Sequence, residues 1–307
     1  MSLLSVAILG KNSRWILKYS LRALRSALRE VKNGIEVVYI DGGSTDGSKE
    51  LVRDVMPWAR IIDAPGTNIP EARNIAIKET SGEYLVYWDS DILAPPSALK
   101  TLLRHNKPIT ALTRRDIYVA SEDDIQSIMS NLSDDPEPTV RPTPFVVFSV
   151  TLFHRDVFRK VGLLDERMTQ AEDRDICLRA YCKGFQSFYV STVAYDINRK
   201  RLSDVPVTTP LRQYLRGIHK KALIYAYTAS RRQKINTAIF AAIHTTAALG
   251  TLFTPWAPLA ELIPLGVSLM RHGVRKGPEM YIKALALYTL MGFWTPLKVK
   301  SICSWIL

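Results

Sequence analysis

At 307 residues, 47% of them hydrophobic, the chain is long enough for one large domain or for a domain with an appendage. A formal net charge of +12 and a sequence pI near 9.6 predict an anionic partner: nucleic acid, an acidic membrane surface or a phosphorylated ligand. No interleaved aromatic–basic motif of a nucleic-acid reader is present, so nucleic acid is set aside. Cys177, Cys182 and Cys303 form no C-x-x-C and no zinc spacing, and are expected as reduced thiols of an intracellular chain, with no assigned chemistry.

The opening MSLLSVAILGKNSR has no basic residue before its apolar run and no cleavage site, and reads as a first strand rather than a signal peptide. Leu17, Leu21, Leu24, Leu28 and Val31 then recur at steps of four and three, the stripe of an amphipathic helix. IEVVYI is a β-branched strand that runs into DGGSTDGS, where Ser44 and Thr45 are expected to cap a helix over 46–56. The glycines of that turn let the backbone approach a flat ligand, and Asp41 can accept hydrogen bonds from the N–H of a base; a generic turn fits equally well. RIIDA is another strand, and IPEARNIAIKETSG a helix closed by Gly82. Arg73, near the start of that helix, can pair with a phosphate or stand as an ordinary surface arginine.

EYLVYWDSDIL, residues 83–93, ends a buried strand on Asp89 and Asp91. Two carboxylates so close mark either a solvated turn or a divalent cation that holds both ionised. Residues 121–142 predict a helix capped by Ser121 and then a Pro- and Asp-rich loop, an ordinary surface excursion or an acceptor flap. AEDRDICLRAYCKGF predicts a helix that turns Ile176, Leu178 and Ala180 inward and ends at Gly184. Glu172, Asp173 and Asp175 at its start suit the helix macrodipole; Asp173 also suits a general base if the fold brings it beside Asp89 and Asp91. The strand–helix alternation to about residue 195 predicts an α/β domain with a mainly parallel sheet covered on both faces, its ligands at the carboxyl ends of the strands.

Beyond residue 198 the composition changes. Residues 199–234 hold ten Lys or Arg and one acid, Asp204, and 235–260 hold no charged residue. The division expected is therefore 1–198 catalytic, 199–234 basic juxtamembrane or interfacial helices, and 235–307 hydrophobic membrane-associated helices. Within the last, a hairpin over about 235–270, broken near Thr254–Pro258, precedes a further helix over about 280–297. Basic segments on both sides of the hairpin predict a membrane-associated chain with its catalytic domain cytoplasmic and membrane lipids as partners. A soluble helical subdomain is the competing reading. The sequence does not fix an oligomeric state, and a homo-oligomer stays open.

Taken in order, VAILGKN, IDGGSTDGS, EARNIAI, GEYLVYWDSD, FRKVGLLDE and AEDRDICLRAYCKGF resemble the motif series of the family-2 glycosyltransferases, over about residues 3–195. The resemblance implies the GT-A nucleotide-sugar-binding fold and a metal-dependent, inverting, hexosyltransferase-type enzyme. Its donor would be a nucleoside-diphosphate sugar and its cofactor Mg²⁺ or Mn²⁺. It further implies that Asp41, with Asn12 nearby, binds the base, that Arg73 faces the nucleotide or its diphosphate, and that Asp91 holds the metal with Asp89 on ribose or metal. Asp173 would be the catalytic base and Glu172 would shape the acceptor pocket. The family often carries a histidine after the last core strand; here Tyr195, Asp196 and Asn198 stand there, so no third metal ligand is assigned and Asp196 is the candidate. Arg212, Arg216, Lys220 and Lys221 are candidates for the leaving diphosphate, on a loose match. The acidic helix favours a hydroxyl acceptor and the C-terminal tract a lipid-linked one, which a glycolipid or lipid-linked glycan satisfies together. A polyprenyl-phosphate sugar synthase, an inactive nucleotide-sugar-binding membrane scaffold and a nucleotidyltransferase are the alternatives.

Overall fold

Side chains of β1 (Leu4–Gly10) alternate between two cores, Leu4, Val6 and Ile8 on one face of a sheet and Ala7 on the other. In β2 (Ile35–Asp41), Val37 and Tyr39 join the first core and Val38 and Ile40 the second. After β3 (Arg60–Asp63), β4 (Tyr84–Asp89) divides Val86 and Trp88 from Leu85 and Tyr87 in the same way. Burial on both faces is why these strands read as unbroken apolar runs. A computed structural model of the chain describes residues 4–31, 34–199, 211–228 and 262–294, with single positions between 233 and 242 and at 303. The chain forms two compact units, Met1–Glu166 with Glu172–Asp204, and Arg167–Ala171 with Val205–Leu307.

In the first unit, one sheet face is covered by α1 (Arg14–Arg29), α2 (Ser48–Val55), α4 (Ala98–His105) and α5 (Glu122–Ser130). The other face is covered by α3 (Ile69–Glu79), α6 (Arg155–Val161) and α7 (Glu172–Cys182). The remaining strands are β5 (Ile92–Leu93), β6 (Ile109–Tyr118), β7 (Val140–Thr143), β8 (Val150–His154) and β9 (Ser187–Asn198). They complete a nine-stranded sheet ordered β3-β2-β1-β4-β8-β6-β9-β5, with β7 on β9. The expectation of parallel pairing holds through β3, β2, β1 and β4 and again between β6 and β9, but β8 breaks it between them and β5 and β7 pair antiparallel with β9. Strand β8 runs antiparallel to both β4 and β6, so the sheet is mixed.

Two predicted helix ends move. α2 starts at Ser48 behind Gly47, whose φ of 83° is left-handed. Ser44 and Thr45 do not cap it; Asp46 Oδ1 instead accepts the Ser48 N–H at 3.1 Å. α3 opens on a capping box between Asn68 and Glu71, with Pro70 in its first turn, and ends at Glu79 rather than at Gly82. Gly82 answers a different need: a Cβ there would lie 2.6 Å from the Ser5 backbone nitrogen in β1. α5 carries the predicted Ser121 cap, and the loop after it holds β7 against β9. Cys177 is a free, buried thiol; Cys182 and Cys303 are not free thiols, which corrects the reading of all three as reduced.

The second unit contains α8 (Leu211–Leu215), α9 (Ile218–Thr228) and α10 (Leu262–Trp294). The first limb of the expected hairpin and its Thr254–Pro258 break lie outside the described residues, single helical positions apart. Where they are described, the second limb (from 262) and the later apolar run (to 294) are not separate: α10 joins them in one helix of 33 residues. No helix among the described residues is long and apolar enough to cross a membrane. In α10 the basic tract RHGVRK, residues 271–276, interrupts the apolar sequence at mid-length.

Candidate active site

Parallel register carries two carboxylates to one edge of the sheet. Asp41 ends β2 opposite Gly10, and Asp89 ends β4 opposite Leu9, so the two flank the end of β1. Asp41 is fully buried, and its Oδ2 accepts the N–H groups of Gly43 at 3.0 Å and Ser44 at 2.8 Å. Its Oδ1 is buried with no partner. A carboxylate oxygen stripped of water and left unpaired is costly, and an N–H donor from a ligand is the group that would relieve it. Asn12, at a left-handed φ of 51°, donates its N–H to Ser44 Oγ at 2.9 Å and accepts the Thr45 N–H on Oδ1 at 2.8 Å. The loops after β1 and β2 are thereby stitched together, with Asn12 a fastener between them.

Acids crowd the adjoining strand ends. The chain turns back after Asp91, and β5 pairs antiparallel with β9 so that Ile92 faces Asp196, while Ile197 donates its N–H to the Asp91 carbonyl at 3.0 Å. Asp196 is held by Arg114 at 3.0 Å and by the Asn198 amide at 2.7 Å. Asp89 lies 3.6 Å from Arg73. Burial raises the Asp89 carboxyl to about 6, against the lowering pull of Arg73. Burial, and then the charges of Asp196 and Asp89, push Asp91 far above the carboxylate range. Asp196 is raised as well, chiefly by burial. Such a surplus of negative charge fits a cation. Among the described residues no group of three or more His, Cys, Asp or Glu side chains is set to cage one. An ion held there would be of the open kind, in which one or two carboxylates share a Mg²⁺-like ion with substrate phosphates.

α7 supplies the third element. Glu172 meets Arg73 at 2.7 Å. Asp173 accepts the Arg174 N–H at 2.7 Å, and burial, followed by the charge of Glu172, raises its carboxyl to about 6. Asp175 belongs to the scaffold, since Arg179 pairs with it at 2.9 Å and donates to the carbonyls of Val161 and Leu163, pinning α7 to the end of α6. The diphosphate candidates lie in the second unit. Arg212 and Arg216 are exposed and Lys220 is half-buried. Lys221 is 1% exposed and donates to the Tyr214 carbonyl at 2.9 Å and to Thr169 Oγ1 at 3.3 Å. Arg114 was not singled out in the sequence; nothing in TRRDIY marks which arginine turns toward Asp196.

Residues 5–162 match the family model described as Glycosyl transferase family 2. The chain belongs to that family. An uncharacterized glycosyltransferase of Rickettsia bellii is 25% identical over 153 residues, 46% of this chain and 22% of the relative. The cholesterol galactosyltransferase of Borreliella burgdorferi is 26% identical over 87 residues, 27% of this chain and 24% of the relative. The chain thus spans about a quarter of the length of these relatives. Among solved structures, GalNAc-T7 with UDP, GalNAc and Mn²⁺ aligns at a TM-score of 0.53 and 15% identity, covering 74% of this chain and 50% of that one. S. aureus TarS 1–349 aligns at 0.50 and 14%, covering 93% and 90%. These likenesses establish a family-2 fold of the GT-A kind, a central mixed sheet flanked by helices.

Proposed function

We propose that this chain transfers a glycosyl group, with inversion, from a nucleoside-diphosphate sugar to a hydroxyl acceptor, using Mg²⁺ or Mn²⁺. The observation that carries the reading is the unpaired, buried Oδ1 of Asp41 on the same sheet edge as Asp89 and Asp91. That oxygen suits the imide or ring N–H of a nucleobase, and the acids beside it suit the cation that accompanies a diphosphate. Family membership supports the donor class, as do the UDP of the GalNAc-T7 structure and the UDP-GlcNAc of a TarS complex.

Each side chain then has a task. Asp41 orients the base, and Asn12 keeps the loop around it closed. Asp91 would hold the cation, with Asp89 and Asp196 beside it, and the cation when bound supplies positive charge against the leaving diphosphate. Asp173 takes the proton of the acceptor hydroxyl as that oxygen bonds to the anomeric carbon and the bond from that carbon to the diphosphate oxygen breaks. One displacement inverts the anomeric centre. An acceptor at a membrane surface rests on the charge-free sequence 235–260, and the membrane-associated, cytoplasm-facing placement on that sequence together with the basic segments that flank the expected hairpin.

The test is nucleoside diphosphate release from a panel of nucleotide sugars, with Mn²⁺, Mg²⁺ or EDTA, using Asp91→Ala as control. Release from one donor that EDTA and the substitution both abolish is the expected result. Absence of both release and binding for every donor would overturn the reading in favour of an inactive scaffold.

A further inference from the structure

Arg73 is 4% exposed, yet it carries a permanent charge. Its terminal nitrogens are divided between two carboxylates from distant parts of the chain: Nη1 meets Glu172 at 2.7 Å and Nη2 faces Asp89 at 3.6 Å. Its guanidinium is 4.6 Å from the centre of the Phe148 ring and 5.7 Å from that of Tyr87, and the Tyr87 hydroxyl donates to the Arg73 carbonyl at 3.2 Å. Its Nε is buried without an acceptor. A guanidinium walled by aromatic rings, with Nη1 bonded to one acid and Nη2 turned toward another, is tied first to the two protein carboxylates.

The next residue does the same work on the backbone. Asn74, 1% exposed, donates to the Leu164 carbonyl at 2.9 Å and to Glu166 at 3.0 Å, and its Oδ1 accepts the Leu164 N–H at 2.9 Å. Both side chains of this Arg-Asn pair therefore reach the chain that leads into α7 or α7 itself, while the arginine also reaches the end of β4.

Resting on the glycosyl-transfer reading, we propose that Arg73 is a positioning residue: it fastens the donor-side strand end at Asp89 to the helix that carries Asp173, and so sets the separation of donor and base. It would act through Asp89 and Glu172 rather than on the diphosphate. A neutral side chain at this position would leave the two acids facing each other without a cation and release α7 from β4. Lysine would offer a single charged nitrogen where two separate carboxylates must be met.

The test compares wild type, Arg73→Met, Arg73→Lys and Glu172→Gln. It reads turnover, nucleoside diphosphate affinity by calorimetry with Mn²⁺, and amide hydrogen exchange. A loss of alignment near 1 Å predicts a kcat about 100-fold lower in Arg73→Met. The affinity for UDP or GDP, whichever the wild type binds, should stay within about threefold, because uniform binding is not what is lost. Amides of both 89–91 and 172–175 should exchange faster in Arg73→Met, by about tenfold. Arg73→Lys should recover part of kcat. Glu172→Gln keeps an acceptor for Nη1 and should show a smaller loss in the same direction, which covers the case that Arg73→Met does not fold. Two results would overturn the proposal: nucleotide affinity falling tenfold or more with kcat preserved at saturating donor, about the size of one lost phosphate contact, or exchange unchanged at both segments. If the wild type turns over no donor, the glycosyl-transfer reading fails separately, since exchange still reports whether Arg73 joins the two segments.

Discussion

Asp41 and Ser44 are joined by a 2.8 Å hydrogen bond from the Ser44 N–H to Asp41 Oδ2, while the second oxygen of the same carboxylate is buried and unpaired. One side chain thus shapes its own loop and keeps an acceptor in reserve. Asp41→Asn can retain the loop bonds through its amide oxygen but turns the reserved acceptor into a donor. The melting temperature should move by less than about 4 °C, as for a change near 1 kcal/mol or below. Affinity for the nucleoside diphosphate should fall about tenfold or more, the weight of a charged hydrogen bond. Calorimetry and a thermal melt read the two effects apart.

The Asp173 carboxyl is raised to about 6, by burial first and then by Glu172. A general base works only as the carboxylate, so kcat/KM should drop about tenfold per pH unit below that value and level off above it. For stability the sign is opposite. The folded chain holds this proton more tightly than the unfolded chain, so the contribution is complete below the ordinary value of 3.8 and is lost as pH rises through about 6. Asp173→Asn should remove the acidic limb of the rate profile and lower kcat about 10²- to 10⁴-fold with donor binding intact. Near-full turnover of that variant would point to an acceptor that is already ionised, such as a polyprenyl phosphate.

Asp91 has Asp89 and Asp196 as charged neighbours, and an arginine pairs with each of those two. Asp91 is therefore the acid that a cation would meet first. Asp91→Asn should weaken Mn²⁺ binding, read by electron paramagnetic resonance in the presence of UDP, by about tenfold or more. Arg114→Gln, which removes the positive charge from Asp196 and leaves its Asn198 bond, should leave Mn²⁺ binding unchanged or tighter.

Lys221 allows a structural role to be tested against a phosphate-binding one within the second unit. Its partners include the Tyr214 carbonyl and the Thr169 hydroxyl, and Lys221→Met would strand both. A loss of about 1–3 kcal/mol in denaturant unfolding is expected, with nucleotide affinity unchanged. Weakened diphosphate binding at unchanged stability would instead favour Lys221 as a phosphate ligand.

Much of the first unit was legible because local pattern and tertiary need agreed. The period-two division of β1, β2 and β4, the helical stripe of α1 and the Ser121 cap of α5 are set by residues within a few positions of one another. The ends of α2 and α3 were misjudged because their terminal residues answer to distant partners. Ser44 and Thr45 are taken by Asn12, and Gly82 makes room for Ser5 in β1. The joining of two apolar segments into α10 escaped because composition registers where charge falls, not whether the backbone hydrogen bonds continue through it.

Sequence alone determined the kinds of residue at the strand ends, and through the ordered motifs the family to which the chain belongs. Only the tertiary structure decided their company. Asp41 and Asp89, 48 positions apart, became neighbours through the register of β1 with both flanking strands. It likewise placed Arg73 between Asp89 and Glu172, gave Asp196 to Arg114 and gave Lys221 to Tyr214. The reason is physical. Which charge meets which depends on burial and on long-range register, and a buried charge takes the partner that the packed chain brings to it.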